Sequence, residues 1–488
     1  MNFNQSFTVG IIPSKLKIAK IIPIHKKGDL NDINNYRPIS LLPAFSKLLE
    51  KIVCKQLISF LTTENLLYRH QYGFRSKHAT IHPITLLLNN IASADDRNEK
   101  TLATFLDLSK AFDTINHDIL LHKLDYYGIR GISNNWFKNY LTGRTQYTEI
   151  NKHKSSEKSL VYGVPQGSIL GPILFLIYIN DISQSNALEL LSYADDTVVY
   201  ASNKDINQLF NHTNFELDKL SEWFRANKLS LNTGKTNFVV FSPQRNKIPA
   251  NLTIMIDNKE IKQIGKDKSA DSVSFLGIHL DEHLTWKKHI SSVSTKISKT
   301  IYAINRCKKF IPFTALKMMY LTLIQSHIQN GIQAWGNSSH IKQIYLLKKK
   351  AIRVINNKSY KAHTDPLFKM NRLLKVGDIF KLNTALFMHD YLYNPDKLPI
   401  SFQNVFTITN HNAGTRQTLC FVRLNPRTKF SEKLPKHSFP NIWNKIDITL
   451  KLLHTKSKFK TLLTDHLLLD YKDVIFCNNP TCTECTHP

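Results

Sequence analysis

The tetrad Tyr193-Ala194-Asp195-Asp196 lies between two short apolar runs, Leu188 to Leu191 and Val198 to Tyr200. Both runs favour strands, and their spacing predicts a β-hairpin with the acid pair at its turn. An unbroken strand would aim successive side chains at opposite faces. A tight turn presents both carboxylates near one point. Two carboxylates that close repel, unless one is protonated or a cation lies between them. Magnesium is hard, takes oxygen ligands and needs few protein carboxylates, so it suits such a site. A solvated Asp-Asp turn is the simpler alternative.

The rest of the chain must supply a core around that hairpin. Its 488 residues, 42% hydrophobic and 21% charged, have a globular composition with room for two or more cores. With 65 Lys+Arg against 37 Asp+Glu, the formal net charge is +28. That excess suits a polyanion, either nucleic acid or an acidic membrane surface. Ser168 to Ile179 comes closest to a membrane span, but it is short and holds Gly171 and Pro172. Met1 to Gly10 lacks the charged start and long apolar core of a signal peptide. Nucleic acid, and no membrane, is therefore the expected partner. Six cysteines in so long a chain do not make a disulfide framework and point to a reducing compartment.

Ile21 to Asp29 reads as a strand leading into a basic turn, and Asn35-Tyr36-Arg37-Pro38-Ile39-Ser40 follows. An amphipathic helix is predicted through Phe45, Leu48, Leu49, Ile52 and Val53. Lys26 and Arg37 alone mark only a basic surface. Gln71-Tyr72-Gly73-Phe74-Arg75 is a turn carrying an Arg. Thr101 to Leu108 is a strand that holds Asp107 at its end, with Phe112 and Asp113 close behind. An Asp between strand and helix is an address for metal-bound phosphate chemistry, and equally a helix cap. Gly163-Val164-Pro165-Gln166-Gly167-Ser168 is a glycine-bearing loop without the ending of a phosphate-binding P-loop. Ser168 could cap the apolar helix after it.

Beyond the acid pair, Ile206, Leu209, Phe210, Thr213, Leu217, Leu220 and Phe224 form one helical stripe. Lys235 precedes the strand Phe238 to Phe241, Asp257-Asn258 marks a hairpin, and Ser274 to Ile278 begins a short strand. From about His283 the pattern becomes helical and basic, with Lys287, Lys288, Lys296, Lys299, Lys308, Lys309, Lys348 to Lys350 and Arg353. Basic and aromatic residues interleave there as a backbone-tracking groove requires; a solvated face is the alternative. Phe313 to Ile328 is predicted as one helix with Leu316, Met319, Tyr320, Leu323 and His327 inward. Cys477, Cys482, Cys485 and His487 are zinc-capable, but too cramped for two knuckles.

In this order the pieces resemble a reverse transcriptase of the non-LTR (LINE-type, jockey-like) retrotransposons. Phe105-Leu106-Asp107-Leu108-Ser109-Lys110-Ala111-Phe112-Asp113 resembles that family's motif A, Gly163 to Ser168 its motif B, and Tyr193-Ala194-Asp195-Asp196 its motif C. Asn35 to Leu42 and Gln71 to Arg75 resemble its fingers motifs. Tyr320, Ala334-Trp335-Gly336, Ala351-Ile352-Arg353 and Trp443-Asn444 resemble its thumb and C-terminal region. The resemblance implies an α+β, right-hand polymerase with an antiparallel palm sheet, followed by a mainly helical, basic C-terminal region. Fingers and palm would span 1–282, a thumb-like region 283–358, and the C-terminal region 359–488. The family commonly places an endonuclease domain ahead of the polymerase, whereas here the fingers motifs begin almost at Met1. The expectation is a polymerase without that domain.

What the resemblance implies chemically is RNA-directed DNA synthesis, with a primer 3′-hydroxyl attacking the α-phosphorus of a dNTP and two magnesium ions assisting. Manganese is the substitute ion. Asp107 and Asp195 become metal ligands, with Asp196 beside them and the Leu108 carbonyl as a further ligand. Lys26 and Arg37 would hold the triphosphate, Arg bidentately. Gln166 would position the nucleotide or template, Phe112 would pack under its sugar, and Lys235 would protonate the leaving pyrophosphate. Phe275-Leu276-Gly277 resembles the primer grip. The partners are an RNA template, a DNA primer or target, and dNTPs. The family works in the nucleus, with a cytoplasmic ribonucleoprotein as the other location. Two readings from other classes compete: an inert nucleic-acid-binding remnant, which need not keep all three acids, and an RNA-dependent RNA polymerase. The latter usually carries Gly-Asp-Asp and must admit a ribose 2′-hydroxyl, which Phe112 opposes.

Overall fold

The computed structural model describes residues 3–243, 249, 252–266, 271–409 and 419–472. After a short helix at Phe3–Val9 come strands β1 (Ile18–His25) and β2 (Tyr36–Leu41), then helices α1 (Ala44–Thr63) and α2 (Ile81–Asp96). Strand β3 (Lys100–Leu106) leads to helices α3 (His117–Tyr126) and α4 (Gly131–Leu141), strand β4 (Arg144–Ile150) and helix α5 (Gly171–Ile179). The hairpin β5 (Glu189–Tyr193) and β6 (Asp196–Asn203) follows, then helix α6 (Ile206–Ala226) and strand β7 (Asn237–Phe241). Side-chain caps mark the helix starts. The Asn116 amide oxygen accepts from Ile119 N at the head of α3, and the Asp205 carboxylate accepts from Asn207 N and Gln208 N at the head of α6.

The central sheet runs β7-β3-β6-β5 with every pair antiparallel, and Lys262–Gln263 adds a short parallel edge beside β7. Alternation along its strands divides the apolar residues between two cores. Ala103 and Phe105, Val198 and Tyr200, and Val239 and Phe241 face one; Leu102 and Leu106, Val199, and Phe238 and Val240 face the other. Both faces of the sheet are therefore buried, and β3 reads as a near-continuous buried run. A second sheet, β2-β1-β4, carries the basic turn; β1 pairs antiparallel with β2 and parallel with β4.

From residue 287 onward the chain is helical. Helices α7 (Lys287–Cys307), α8 (Phe313–Tyr320), α9 (Lys342–Ile355), α10 (Val376–Tyr393), α11 (Pro435–Asn444) and α12 (Lys456–Leu469) carry it to the end of the described region. The core beneath Ala103 and Phe105 continues through α2 into these helices and reaches Trp443, Phe459 and Tyr471. Polar contacts close the same junction at Asp95 and Asp96 of α2. Asp95 accepts from Arg427 Nη2 at 2.8 Å and from Thr428 Oγ1. Asp96 accepts from Lys436 Nζ at 2.9 Å and Ser431 Oγ at 3.0 Å, and pairs with His437 Nε2 at 2.9 Å. Burial alone would raise Asp96, but the Lys436 bond and its other donors outweigh it and hold the carboxyl below its usual range.

Three expectations about the helices are corrected. In α1 the buried stripe is Leu49, Val53, Leu57 and Leu61, while Phe45 and Leu48 are 67% and 53% exposed and Ile52 is exposed as well. The charged Glu50 turns inward instead, because it finds buried donors on α5's entry and α4. After Tyr320 the helix does not continue as α-helix. Leu321–Gln325 is π-helical, and the wider turn brings Ile324, Gln325 and Ile328 inward and leaves Leu323 exposed and His327 half-buried. Lys348 is not part of a basic face. It is fully buried, its Nζ donates to Gln325 Oε1 at 2.9 Å, and burial lowers its pKa far below the ordinary lysine range.

The expected hairpin at Asp257-Asn258 is present between Met255–Ile256 and Lys259–Glu260. Ser274 to Ile278 is a hairpin rather than a single strand, pairing Val273–Phe275 with Ile278–Leu280 across Leu276 and Gly277. Cys477, Cys482, Cys485 and His487 lie outside the described residues.

Candidate active site

The acid pair sits where the apolar runs place it. Tyr193 pairs with Asp196 across a two-residue turn, Ala194-Asp195, and Ala194 takes φ 59°. A first turn position with positive φ normally falls to glycine. Ala194 is held there from outside the hairpin. Its N–H donates to Gln71 Oε1 at 2.9 Å, and the same oxygen accepts from Gly73 N at 2.8 Å. Tyr72 N donates to Ser192 O at 2.7 Å, and Ser192 N donates to His70 O at 3.0 Å. A Cβ on Gly73 would lie 2.3 Å from Ala194 N, so only glycine allows this approach. Gln71 to Gly73 thus clamps the acidic tip. The sequence marks this segment as a turn and as one of the fingers motifs, but not as a clamp on the acidic tip; the glycine inside it, flanked by aromatics, was the available signal.

Asp107 follows β3 directly, and β3 lies beside β6 with Leu106 opposite Thr197. Its N–H donates to Thr236 Oγ1 at 3.3 Å and its carbonyl accepts from Asn232 N at 2.8 Å. Ser109 N donates to Ser230 O at 2.9 Å, which lays the 230–236 loop along the strand exit. That loop brings Lys235 Nζ to 3.8 Å from Asp107 Oδ2, a solvent-exposed pair. No donor engages the Leu108 carbonyl among the described residues.

Asp107, Asp195, Asp196, Lys26 and Arg37 lie close enough to feel one another's charges. Burial raises the Asp195 carboxyl, and the Asp107 charge raises it further, while Arg37 and Lys26 pull the other way. Burial, then the charges of Asp195 and Asp107, push Asp196 up to about 6, although part of its side chain meets solvent; Lys26 again opposes. Lys26 and Arg37 therefore reach this site from the β1–β2 ladder, where Arg37 stands opposite Ile24. Three mutually repelling carboxylates are a donor set that a hard cation fits. The three are not gathered into a ready-made ligand cluster, for among the described residues no group of three or more acidic, histidine or cysteine side chains is close enough together to hold a metal ion unaided. An ion here would keep positions for water and phosphate oxygens, as magnesium prefers.

The glycine loop lies beside this site. Val164 N donates to Phe112 O at 2.9 Å, Gly163 N donates to Ile115 O at 2.8 Å, and His117 Nε2 lies 2.8 Å from Gly163 O. On its other side, Ser40 N of β2 donates to Gln166 O at 2.7 Å. Ser168 Oγ accepts from Gly171 N at 3.0 Å and so caps α5 as expected. Glu50 Oε2 accepts from Ile169 N at 2.6 Å and from Leu170 N at 3.3 Å, and Tyr140 OH donates to Oε1 at 3.0 Å. This buried carboxylate at a helix N-terminus was missed; a lone acid between Leu49 and Val53 was its signal. The Phe112 ring packs on Phe175 at 4.6 Å and edge-on to Phe74 at 6.3 Å. Phe275 packs on Phe105 at 5.4 Å, which ties its hairpin to the strand that ends at Asp107.

The family description "Reverse transcriptase (RNA-dependent DNA polymerase)" matches residues 24–280. The RNA-directed DNA polymerase from mobile element jockey of Drosophila melanogaster is 26% identical over 465 residues, covering 90% of this chain and 47% of the relative. The probable RNA-directed DNA polymerase from transposon X-element of the same organism is 28% identical over 408 residues, covering 80% of this chain and 43% of the relative. The chain thus spans less than half the length of these relatives. Among solved structures, apo telomerase from Candida tropicalis is similar at 13% identity and a TM-score of 0.39, with 76% of this chain and 64% of that chain covered.

Proposed function

The chain belongs to the reverse transcriptase (RNA-dependent DNA polymerase) family and carries its right-hand polymerase fold, and from that premise we propose that it extends a DNA primer on an RNA template with dNTPs. The observation that carries this reading is the raised proton affinity of Asp195 and Asp196, opposed by Lys26 and Arg37. It is the signature of an acidic centre that needs cations, facing basic groups that need anions.

Asp107, Asp195 and the Leu108 carbonyl would hold two divalent ions, with Asp196 completing the acidic group. Bound ions there would offset charge on the attacking and leaving oxygens. Lys26 and Arg37 neutralise the triphosphate from the fingers side; Arg37 matches its oxygens bidentately. Phe112 lies under the sugar, held by Phe175 and Phe74. Gln166 orients the nucleotide. Lys235, exposed beside Asp107, can hand a proton to departing pyrophosphate. The hairpin turn Phe275-Leu276-Gly277 meets the primer, supported from β3 through Phe105.

Residues 1–282 serve as fingers and palm, 283–358 as a thumb, and 359–488 as the C-terminal region. The exposed lysines of α7 and α9 follow the nucleic-acid backbone. No helix among the described residues is long and apolar enough to cross a membrane, and a genomic DNA primer places the work in the nucleus. The test is extension of oligo(dT) on poly(rA) with labelled dTTP and magnesium. Wild type should extend, and Asp195→Asn and Asp107→Asn should not, while both variants keep the wild-type fold and template affinity. Near wild-type extension by either variant removes the site assignment.

A further inference from the structure

The C-terminal region reaches the segment that clamps the acidic tip. Tyr72 OH and Ser401 Oγ share a hydrogen bond at 2.8 Å, across 329 residues of chain. Tyr72 is fully buried, and its phenol has one other partner among the described residues, His70 Nδ1 at 3.3 Å. A buried hydroxyl that loses its partner does not regain the water it gave up. The depth at which the Tyr72 ring sits is thus tied to where Ser401 stands.

Ser401 stands on a firm support. It lies in a single 3-10 turn, Ile400–Phe402, closed by Phe402 N to Pro399 O at 3.0 Å. Phe402 is buried and packs edge-on to Phe387 of α10 at 5.2 Å and to His82 of α2 at 5.5 Å. On the other side of Tyr72 lies the backbone that shapes the acidic tip. Tyr72 N donates to Ser192 O at 2.7 Å. The residue before it supplies the Oε1 that holds Ala194 N, and the residue after it is the glycine that Ala194 approaches. Arg75 Nη1 closes the same turn, donating to Tyr68 O at 2.9 Å and to Gln71 O at 3.1 Å. A shift of the Tyr72 ring therefore carries with it both contacts that hold Ala194 at its positive φ, one residue from Asp195.

We propose that Ser401 is a positioning residue: through Tyr72 it fixes the Gln71 to Gly73 clamp, so that the C-terminal region sets the placement of the Asp195 carboxylate. This rests on the polymerase reading above. It makes a residue well beyond the family-matched stretch 24–280 a support of the acidic centre. A serine that only stabilised the fold would lower the melting temperature and leave the chemical step alone. One that places Asp195 changes the rate of that step and its demand for metal, while nucleotide and template binding stay as they are.

The experiment measures single-turnover addition of dTTP to oligo(dT) on poly(rA) by the full chain. The readouts are the maximal rate, the half-saturating dTTP and magnesium concentrations, and poly(rA) affinity, at a temperature where melts show each protein folded. Ser401→Ala should lower the maximal rate about fivefold, the scale of one net hydrogen bond. It should also raise the half-saturating magnesium, with half-saturating dTTP and poly(rA) affinity unchanged. Ser401→Thr keeps the hydroxyl and should keep the wild-type rate. Tyr72→Phe removes the same bond from its other end, so Ser401→Ala in that background should cost nothing further. An unchanged rate in Ser401→Ala, a loss that falls on dTTP or poly(rA) binding, or an equal loss from Ser401→Ala in the Tyr72→Phe background overturns the proposal. Should Tyr72→Phe fail to fold, Ser401→Ala against Ser401→Thr decides, and equal rates in the two overturn it. A wild-type protein that adds no dTTP removes the polymerase reading and this inference with it. A wild type that extends while Ser401→Ala matches its rate removes this inference alone.

Discussion

Gln71 Oε1 accepts the N–H of Ala194 at 2.9 Å, and by that bond a residue before the central sheet fixes the tip of the acidic hairpin within it. Gly73 makes the approach possible. Gly73→Ala would drive a methyl into the Ala194 backbone, where a Cβ would stand 2.3 Å from the nitrogen. The backbone must shift, at a cost of about 1–3 kcal/mol. The expected outcome is a lower melting temperature together with loss of primer extension beyond what the stability loss explains. Extension at the wild-type rate at a temperature where the variant is fully folded would show that the tip does not need this clamp.

The acidic centre predicts a pH dependence of stability. Unfolded Asp196 releases its proton near 3.8, whereas burial and then the charges of Asp195 and Asp107 hold it to about 6 in the fold. Between those values the folded state keeps a proton that the unfolded state has lost, so stability falls as pH rises through that window. Metal-free Asp196→Asn should therefore melt higher than wild type at neutral pH, and the difference should shrink toward pH 4. Magnesium should raise wild type more than the variant. Thermal melts across the window, with and without magnesium, check both; a variant that tracks wild type at every pH contradicts the assignment.

Sugar choice should depend on Phe112. Its ring is partly buried between Phe175 and Phe74. Phe112→Val should raise UTP incorporation relative to dTTP, because the floor beneath the sugar recedes, and should also leave a cavity that lowers stability. The ratio of kcat/KM for dTTP and UTP separates these effects. An unchanged ratio with a lower melting temperature would reduce Phe112 to a core residue.

The basic helices should divide by burial. Neutralising the exposed Lys296, Lys299 and Lys350 should flatten the salt dependence of RNA binding by about 0.7 in log–log slope for each single-strand phosphate that is no longer neutralised. Lys348→Met should leave that slope alone. It replaces a fully buried amine whose proton affinity is strongly depressed by burial. The unfolded chain holds that proton up to near 10.5, whereas burial disfavours it in the fold, so the native lysine costs stability at neutral pH and the Met variant should melt higher. A salt slope changed by Lys348→Met would place the residue back on the binding surface.

Local patterns carried the acid hairpin, the strand ending at Asp107 and the α6 stripe, because alternation and helical period are properties of short windows. Fixed periodicity misplaced Leu323 and His327, since the π-helical turn adds a residue that no apolar count reveals. It misplaced Phe45 and Leu48 because the Glu50 carboxylate found its donors at residues 140, 169 and 170, far along the chain. Lys348 was read with its neighbours as surface charge, and only tertiary packing, which sets its ammonium against Gln325, Tyr320 and Phe368, buries it. The Gln71 clamp and the Tyr72 bond to Ser401 were illegible for the same reason. Each is a polar contact between segments whose meeting depends on the whole fold.

The junction at Asp95 and Asp96 has a consequence for how the protein is made. Helix α2 leaves the ribosome early and packs on the central sheet, but its two carboxylates wait for Arg427, Thr428, Ser431, Lys436 and His437, and its other side waits for the helices around them. A nascent chain already holding Asp107, Asp195 and Asp196 still leaves the outer side of α2 without its partners until those last helices emerge. Completion of the chain is thus a folding step, and a message cut short after residue 282 yields a product for chaperones and proteases rather than a smaller enzyme.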